Sequence, residues 1–170
     1  MGDTLTRIPD SQEAVTTQAA APVAVATANC GHLLEKVVWN PTFCVGVAEM
    51  DEHHKKLFIL INQLVDCHAA RDETTSEKFH DALSGMFDYT QVHFKAEEDY
   101  LQRIGYPQLP AHEKKHAAFV EKMTTYSMAA SHGVLDCEDA YHYMREWLLS
   151  HILKSDMQYR RFVEGRKDAS

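Results

Sequence analysis

The 170-residue sequence predicts an all-α fold: an antiparallel up-down-up-down four-helix bundle with an N-terminal extended arm. Three observations carry that expectation. Apolar residues recur at three- and four-residue steps through four long segments, short stretches bearing Gly, Pro or Asp separate them, and no strand-like alternation follows the arm. Short connections make neighbouring helices antiparallel.

Residues 1 to about 35 are rich in Ala, Thr and Val with few large apolar groups. They cannot bury enough surface to fold alone and are expected to form a disordered leader. Its stretch AVTTQAAAPVAVATA has the flavour of a signal-peptide core, but Thr, Gln and Pro break it, and Asp3, Asp10 and Glu13 outweigh Arg7. Met1-Gly2 with Thr6 fits a myristoylation pattern only formally, as short patterns often do. Order is expected from Val37, Val38 and Trp39. In the segment WNPTFCVGV, Pro41 and Gly46 suit an extended arm anchored by Trp39 and Phe43. Residues 36–165 make the bundle and 166–170 a C-terminal tail.

The first helix is expected from Glu49 to Ala69, with Leu57, Leu60, Ile61 and Leu64 as its stripe and His54 on the same face. Thr74 with Glu77 reads as a capping box opening a second helix that runs to about Ile104. Phe79, Leu83, Met86, Phe87 and Thr90 lead down that helix to His93 and Glu97. Gly105 and Pro107 end it, and Pro110 suits the first turn of a third helix that closes between Ser131 and Gly133. Asp136 is an acceptable N-cap for the fourth, which is expected to reach Val163 with Tyr141, Met144, Trp147, Leu148, His151, Ile152 and Tyr159 inward.

Composition bounds the function. Hydrophobic residues at 45% and charged residues at 25% give the balance of one globular domain. A net charge of −8 without a Lys/Arg cluster argues against a nucleic-acid partner. No apolar run approaches the length of a membrane span. Cys30, Cys44, Cys67 and Cys137 are far apart and form no CxxC, which suits idle thiols in a reducing, cytoplasmic setting; a Cys44–Cys67 link stays open.

Eleven histidines are many for this length, and several stand at ligand spacings. His93 and Glu97, like His112 and His116, are four residues apart, which leaves about 40° between side chains on a helix. Each pair can grip one metal from one face. His151 and Asp156 are five apart, about 140° on an α-helical wheel. That is awkward for one metal but reasonable if Asp156 reaches towards a second. A lone histidine on an apolar face is more often an ordinary core residue. Five imidazoles and two carboxylates buried together without a metal, however, would cost several kcal/mol, roughly, in unpaired polar groups. His142 and His80 face away from the site, His32, His68 and His132 fall in the leader or near helix ends, and His53 is expected at the surface.

The segments MDEHHKKLF, HFKAEE, HEKKH and HILKSDMQY resemble the four ligand segments of the hemerythrin family, in the family's order, within a match covering about Trp39 to Phe162. The resemblance implies a non-haem centre of two iron ions joined by an oxo or hydroxo bridge. His112, His116 and His151 would hold one iron and His54 and His93 the other, with Glu97 and Asp156 bridging. One coordination position then stays open, on the iron with two histidines, for dioxygen as ligand. Moving two electrons and the bridge proton to oxygen leaves the buried charge unchanged, which favours reversible binding in a low-dielectric bundle. By family position Leu57, Phe94, Leu148 and Ile152 would line the oxygen pocket, with Trp147 and Tyr159 behind the ligands.

The implied function is reversible dioxygen binding for transport, storage or sensing, by a monomer or homo-oligomer that is not an enzyme. One alternative is a di-iron enzyme acting on peroxide, nitric oxide or ferrous iron. The other is an oxygen- or redox-responsive interaction module. Imidazole and carboxylate ligands also suit manganese or zinc.

Overall fold

A computed structural model describes residues 33–167. The expected leader falls almost wholly outside the described residues, as do residues 168–170 of the tail. After an extended arm with a short 3-10 turn at Pro41–Phe43 come α1 (Ala48–Ala70), α2 (Thr75–Arg103), α3 (Leu109–Ser131), α4 (Cys137–Ser150), a π-helical segment (His151–Asp156) and α5 (Met157–Lys167). The last three are continuous in sequence and together make the fourth helix of the bundle. Helix α1 packs on α2 and α4, and α2 on α3. Among the described residues there is no strand, and no helix is long and apolar enough to cross a membrane.

Each turn has a local cause. The α2 end closes with the Tyr106 amide donating to the Leu101 carbonyl at 2.9 Å, around Gly105 at φ 65°. The α3 end repeats this with Val134 donating to Ala129 at 3.0 Å, around Gly133 at φ 83°. Both are the six-to-one closure that a left-handed residue permits, and glycine adopts it without steric penalty. Asp136 caps α4 as expected, accepting from the Asp139 amide at 2.9 Å.

Two expectations need correction. The Thr74–Glu77 capping box does not form, because the Thr74 hydroxyl donates to Asp72 Oδ1 at 2.6 Å and is thereby diverted from the helix. Asp72 organises the turn instead, its carboxylate also accepting from the Thr74 amide at 2.9 Å. The fourth helix is not α-helical throughout. Across His151–Asp156 the bonding widens, with the Met157 amide reaching the Ile152 carbonyl five residues back.

The arm is held as its anchors suggest. Val37 exchanges two hydrogen bonds with the Asn62 side chain, at 2.8 and 2.9 Å. Trp39 packs edge-on against Phe58 of α1 at 5.5 Å, and Phe43 lies 5.1 Å from the same ring. The core beneath runs from Leu57, Ile61 and Leu64 through Met86 and Met123 to Tyr141 and Met144, all buried.

Candidate metal centre

Alternating helix directions bring the start of α1, the end of α2, the start of α3 and the π segment to one end of the bundle. His54, His93, Glu97, His112, His116, His151 and Asp156 all meet there, none more than 4% exposed. The spacing logic explains two of the four contributions, since one turn separates His93 from Glu97 and His112 from His116, while α1 supplies His54 alone. The fourth rests on the π segment. Its wider turn brings residues five apart close to one face, so the 140° that α-helical geometry would leave between His151 and Asp156 is largely closed. His151 Nε2 and Asp156 Oδ1 stand 3.1 Å apart.

The donor atoms fall into two groups. In the first, Glu97 Oε2 lies 2.9 Å from His112 Nε2 and 3.2 Å from His116 Nε2, and the Nε2 atoms of His116 and His151 face each other at 3.0 Å. The second comprises His54, His93 and Glu97, so Glu97 belongs to both. Asp156 spans them too: Oδ1 faces His151, and Oδ2 lies 3.4 Å from His54 Nε2. Both groups could hold a metal ion.

Hydrogen bonding among protein groups does not account for this arrangement. Both ring nitrogens of His54 and of His93, Glu97 Oε1 and both Asp156 oxygens are buried without a hydrogen-bond partner. Orphaned buried polar atoms on this scale are rare and costly. Adjacent ligands about 2.1 Å from a shared ion at right angles would be separated by roughly 3 Å, as the His112, His116, His151 and Glu97 atoms are. Imidazoles and carboxylates are also the donors that such a site needs. The residues fit a metal pair.

The electrostatics agree. Burial holds His54 below, and His93 well below, the usual histidine value of 6.5, so both imidazoles stay neutral with lone pairs available. At His151 burial acts in the same direction, but the Asp156 and Glu97 carboxylates outweigh it and lift the group to about 9. Burial would raise the Glu97 carboxyl, yet its contacts with His112, His116 and His151 hold it well below the ordinary range.

Aromatic rings wall the site. Phe94 stacks on His116 at 3.7 Å and Trp147 on His151 at 4.4 Å, while Trp39 of the arm lies 6.4 Å from His54. Leu57, Leu148 and Ile152 are buried, each within one helical turn of a site histidine. A groove of about 430 Å³ beside the centre is walled by Lys115, Trp147, Lys154 and Ser155 and reaches His151, over which the half-buried indole is stacked. The Tyr159 hydroxyl is buried without a hydrogen-bond partner, and burial together with the charges of Glu97 and Asp156 raises its pKa well above 10.

One contributor was missed in the sequence and one misplaced. Glu98 Oε1 lies 2.8 Å from His116 Nδ1. By accepting a hydrogen bond from Nδ1–H, this carboxylate fixes the tautomer that turns the Nε2 lone pair to the centre. The doublet Glu97-Glu98 was its only trace. His53, expected at the surface, is half-buried and packs edge-on against Tyr89 and His93, each at 5.7 Å. His80, His132 and His142 are exposed, away from the site.

Comparison with known proteins places the chain. Residues 45–163 match the family described as Hemerythrin HHE cation binding domain. A hemerythrin-like protein of Naegleria gruberi is 35% identical over 123 residues, covering 72% of this chain and 89% of that one. The bacteriohemerythrin of Methylococcus capsulatus is 32% identical over 118 residues, covering 69% and 88%. The crystal structure of wild-type hemerythrin superposes with a TM-score of 0.68 at 28% identity, covering 74% of this chain and 95% of that one. The chain belongs to the hemerythrin family.

Proposed function

We propose that this protein binds dioxygen reversibly at a centre of two iron ions. His112, His116 and His151 would hold one iron, His54 and His93 the other, and Glu97 and Asp156 would serve both. The observation that carries the reading is the placement of the two carboxylates: each faces both histidine groups, and the facing atoms lack other partners. When bound, the iron pair would supply the two electrons that dioxygen takes up and returns.

The protein's own part is to keep that exchange reversible. Five imidazoles stand against two carboxylates, and an imidazole is neutral once it ligates a metal, so the loaded site would carry little charge that had to be solvated. Phe94, Leu57, Leu148 and Ile152 would exclude water from the side where oxygen enters, and Trp147 and Trp39 close two further approaches. Tyr159 would offer its unpartnered hydroxyl to the carboxylate end. Membership of the hemerythrin family and a site dominated by histidine both support a carrier over an enzyme.

The test is an anaerobic optical titration of the ferrous protein with iron counted per chain. A charge-transfer band that appears with oxygen and vanishes under argon, at two irons per chain, is the expected result. A band that only decays to a ferric form, with peroxide or water released, would transfer the assignment to a di-iron enzyme.

A further inference from the structure

The bundle end remote from the histidines holds two side chains that the proposed function leaves unused. Cys67 sits in the last turn of α1 and Cys137 is the first residue of α4. The first lies 13 residues beyond His54 and the second 14 before His151, which puts the pair about 20 Å along the helices from the centre. Both are buried, at 0% and 5% exposure, and their Sγ atoms are 2.6 Å apart. That separation is well inside ordinary sulfur contact. The other polar neighbour is the Thr75 carbonyl, 3.5 Å from Cys67 Sγ. Cys44, which the sequence left open as a partner for Cys67, instead sits half-buried in the arm.

We propose that Cys67 and Cys137 are a site of reversible oxidation, closing to an intramolecular disulfide with a small peroxide as the oxidant. Burial selects the oxidant: a bulky disulfide reagent cannot reach sulfurs this enclosed, whereas hydrogen peroxide is close to water in size. In the first step one of the two cysteines, as thiolate, attacks one peroxide oxygen, the O–O bond breaks, and the sulfur becomes a sulfenic acid while hydroxide leaves and takes up that thiol's proton to become water. In the second, the other sulfur attacks the sulfenic sulfur, the S–S bond forms, and the sulfenic oxygen departs as water with the second thiol's proton. Two thiols and one peroxide thus give one disulfide and two waters. Burial raises both thiols.

The bond would clip α1 to α4 across a span of 70 residues that includes α2 and α3. Closing a loop of that length restricts the unfolded chain strongly. It would do so without touching the ligand end of the bundle.

The full-length protein is treated with hydrogen peroxide, alkylated with iodoacetamide after unfolding, digested and read by mass spectrometry. The expected product is a Cys67–Cys137 cross-linked peptide two hydrogens lighter than the paired thiols, with Cys44 alkylated and the link reversed by dithiothreitol. The oxidised form should melt about 10 °C above the reduced one. Cys44→Ser should keep both effects and Cys137→Ala should lose both; if Cys137→Ala does not fold, the wild-type protein decides alone. Alkylation of every cysteine after peroxide, a link from Cys67 to another partner, or a cross-link without a melting shift would each overturn the proposal.

Discussion

The phenyl ring of Phe94 lies flat on the imidazole of His116, with centroids 3.7 Å apart and planes within 5°. Glu98, four residues further along α2, lies 2.8 Å from Nδ1 of the same imidazole. One helix thus sets both the plane and the tautomer of a ring carried by another. Removing the Glu98 acceptor should lower iron affinity about 10- to 100-fold, the usual effect of losing a partner behind a ligating histidine. Glu98→Ala should show this in chelator competition, and Glu98→Gln, which keeps an acceptor oxygen, should recover most of it. Equal affinity in the alanine variant and the wild type would refute the role.

His54 is the sole ligand candidate from α1, and its ring is 4.8 Å from that of His93. His54→Ala should cut bound iron from about two per chain to about one and abolish oxygen binding, with helicity retained because α1 keeps its apolar stripe. Iron analysis beside circular dichroism checks this. Normal oxygen binding would sink the ligand assignment.

Leu148 is 4% exposed and sits one turn before His151. Leu148→Ala should destabilise the fold by about 2–5 kcal/mol and leave space that water can enter. Autoxidation of the oxygenated form should therefore speed up. An unchanged decay rate in the optical band would argue that other residues do the shielding.

Lys154 is exposed within the π segment. Deleting it should let the fourth helix run as a regular α-helix in which Asp156 follows His151 by four steps, about 40° round, so that both stay on the inner face. Helical content and two irons per chain should both be kept. Loss of iron from this variant would show that the widened turn itself, rather than the face it restores, sets the Asp156 position.

Metal-free protein should have a melting temperature that peaks near the ordinary histidine pKa. His54 and His93 are held below 6.5 by burial, so the unfolded chain binds more protons as pH falls through that value, and stability drops on the acid side. For His151 burial is outweighed by Asp156 and Glu97, which raise it to about 9, so its contribution is complete below 6.5 and lost as pH rises through 9. Iron needs deprotonated imidazoles, so loading it should move the peak to higher pH. Thermal melts across the range, with and without chelator, read both effects; a melting temperature that only climbs or only falls would contradict them.

Much of this was legible in the sequence because it is periodic. The three- and four-residue steps of Leu57, Ile61 and Leu64 fix the inner face of α1, and the same arithmetic pairs His93 with Glu97 and His112 with His116. Gly105 and Gly133 announce their turns because few other residues take a positive φ cheaply. What escaped depends on departures from the regular helix or on contacts between distant residues. The π turn at His151–Asp156 was invisible, since a wheel assumes the α-helical angle it is used to test. The Thr74 capping box failed because Asp72, two residues earlier, competed for the same hydroxyl. Cys67 and Cys137 are 70 residues apart, and no local pattern links them. Glu98 gave no sign of its role until the fold set it beside His116.

The arm is a fastener that closes from one direction. After a first link from the Tyr141 hydroxyl of α4 to the Glu35 carbonyl, its contacts follow α1 backwards in order: Lys36 to Asp66, Val37 to Asn62, Trp39 to Phe58 and His54, and Val45 to Asp51. The outer links are polar and partly wet, whereas the inner ones include the rings of Trp39 and Phe43 packed on Phe58, so opening proceeds from the Glu35 end inward. The Trp39 cover on His54 then lifts only after the links to Tyr141, Asp66 and Asn62 have opened. Exposure of that imidazole becomes a late stage of peeling, set by the sum of weaker links ahead of it, and a change as remote as Asn62 would tune how long a metal held at His54 would stay dry.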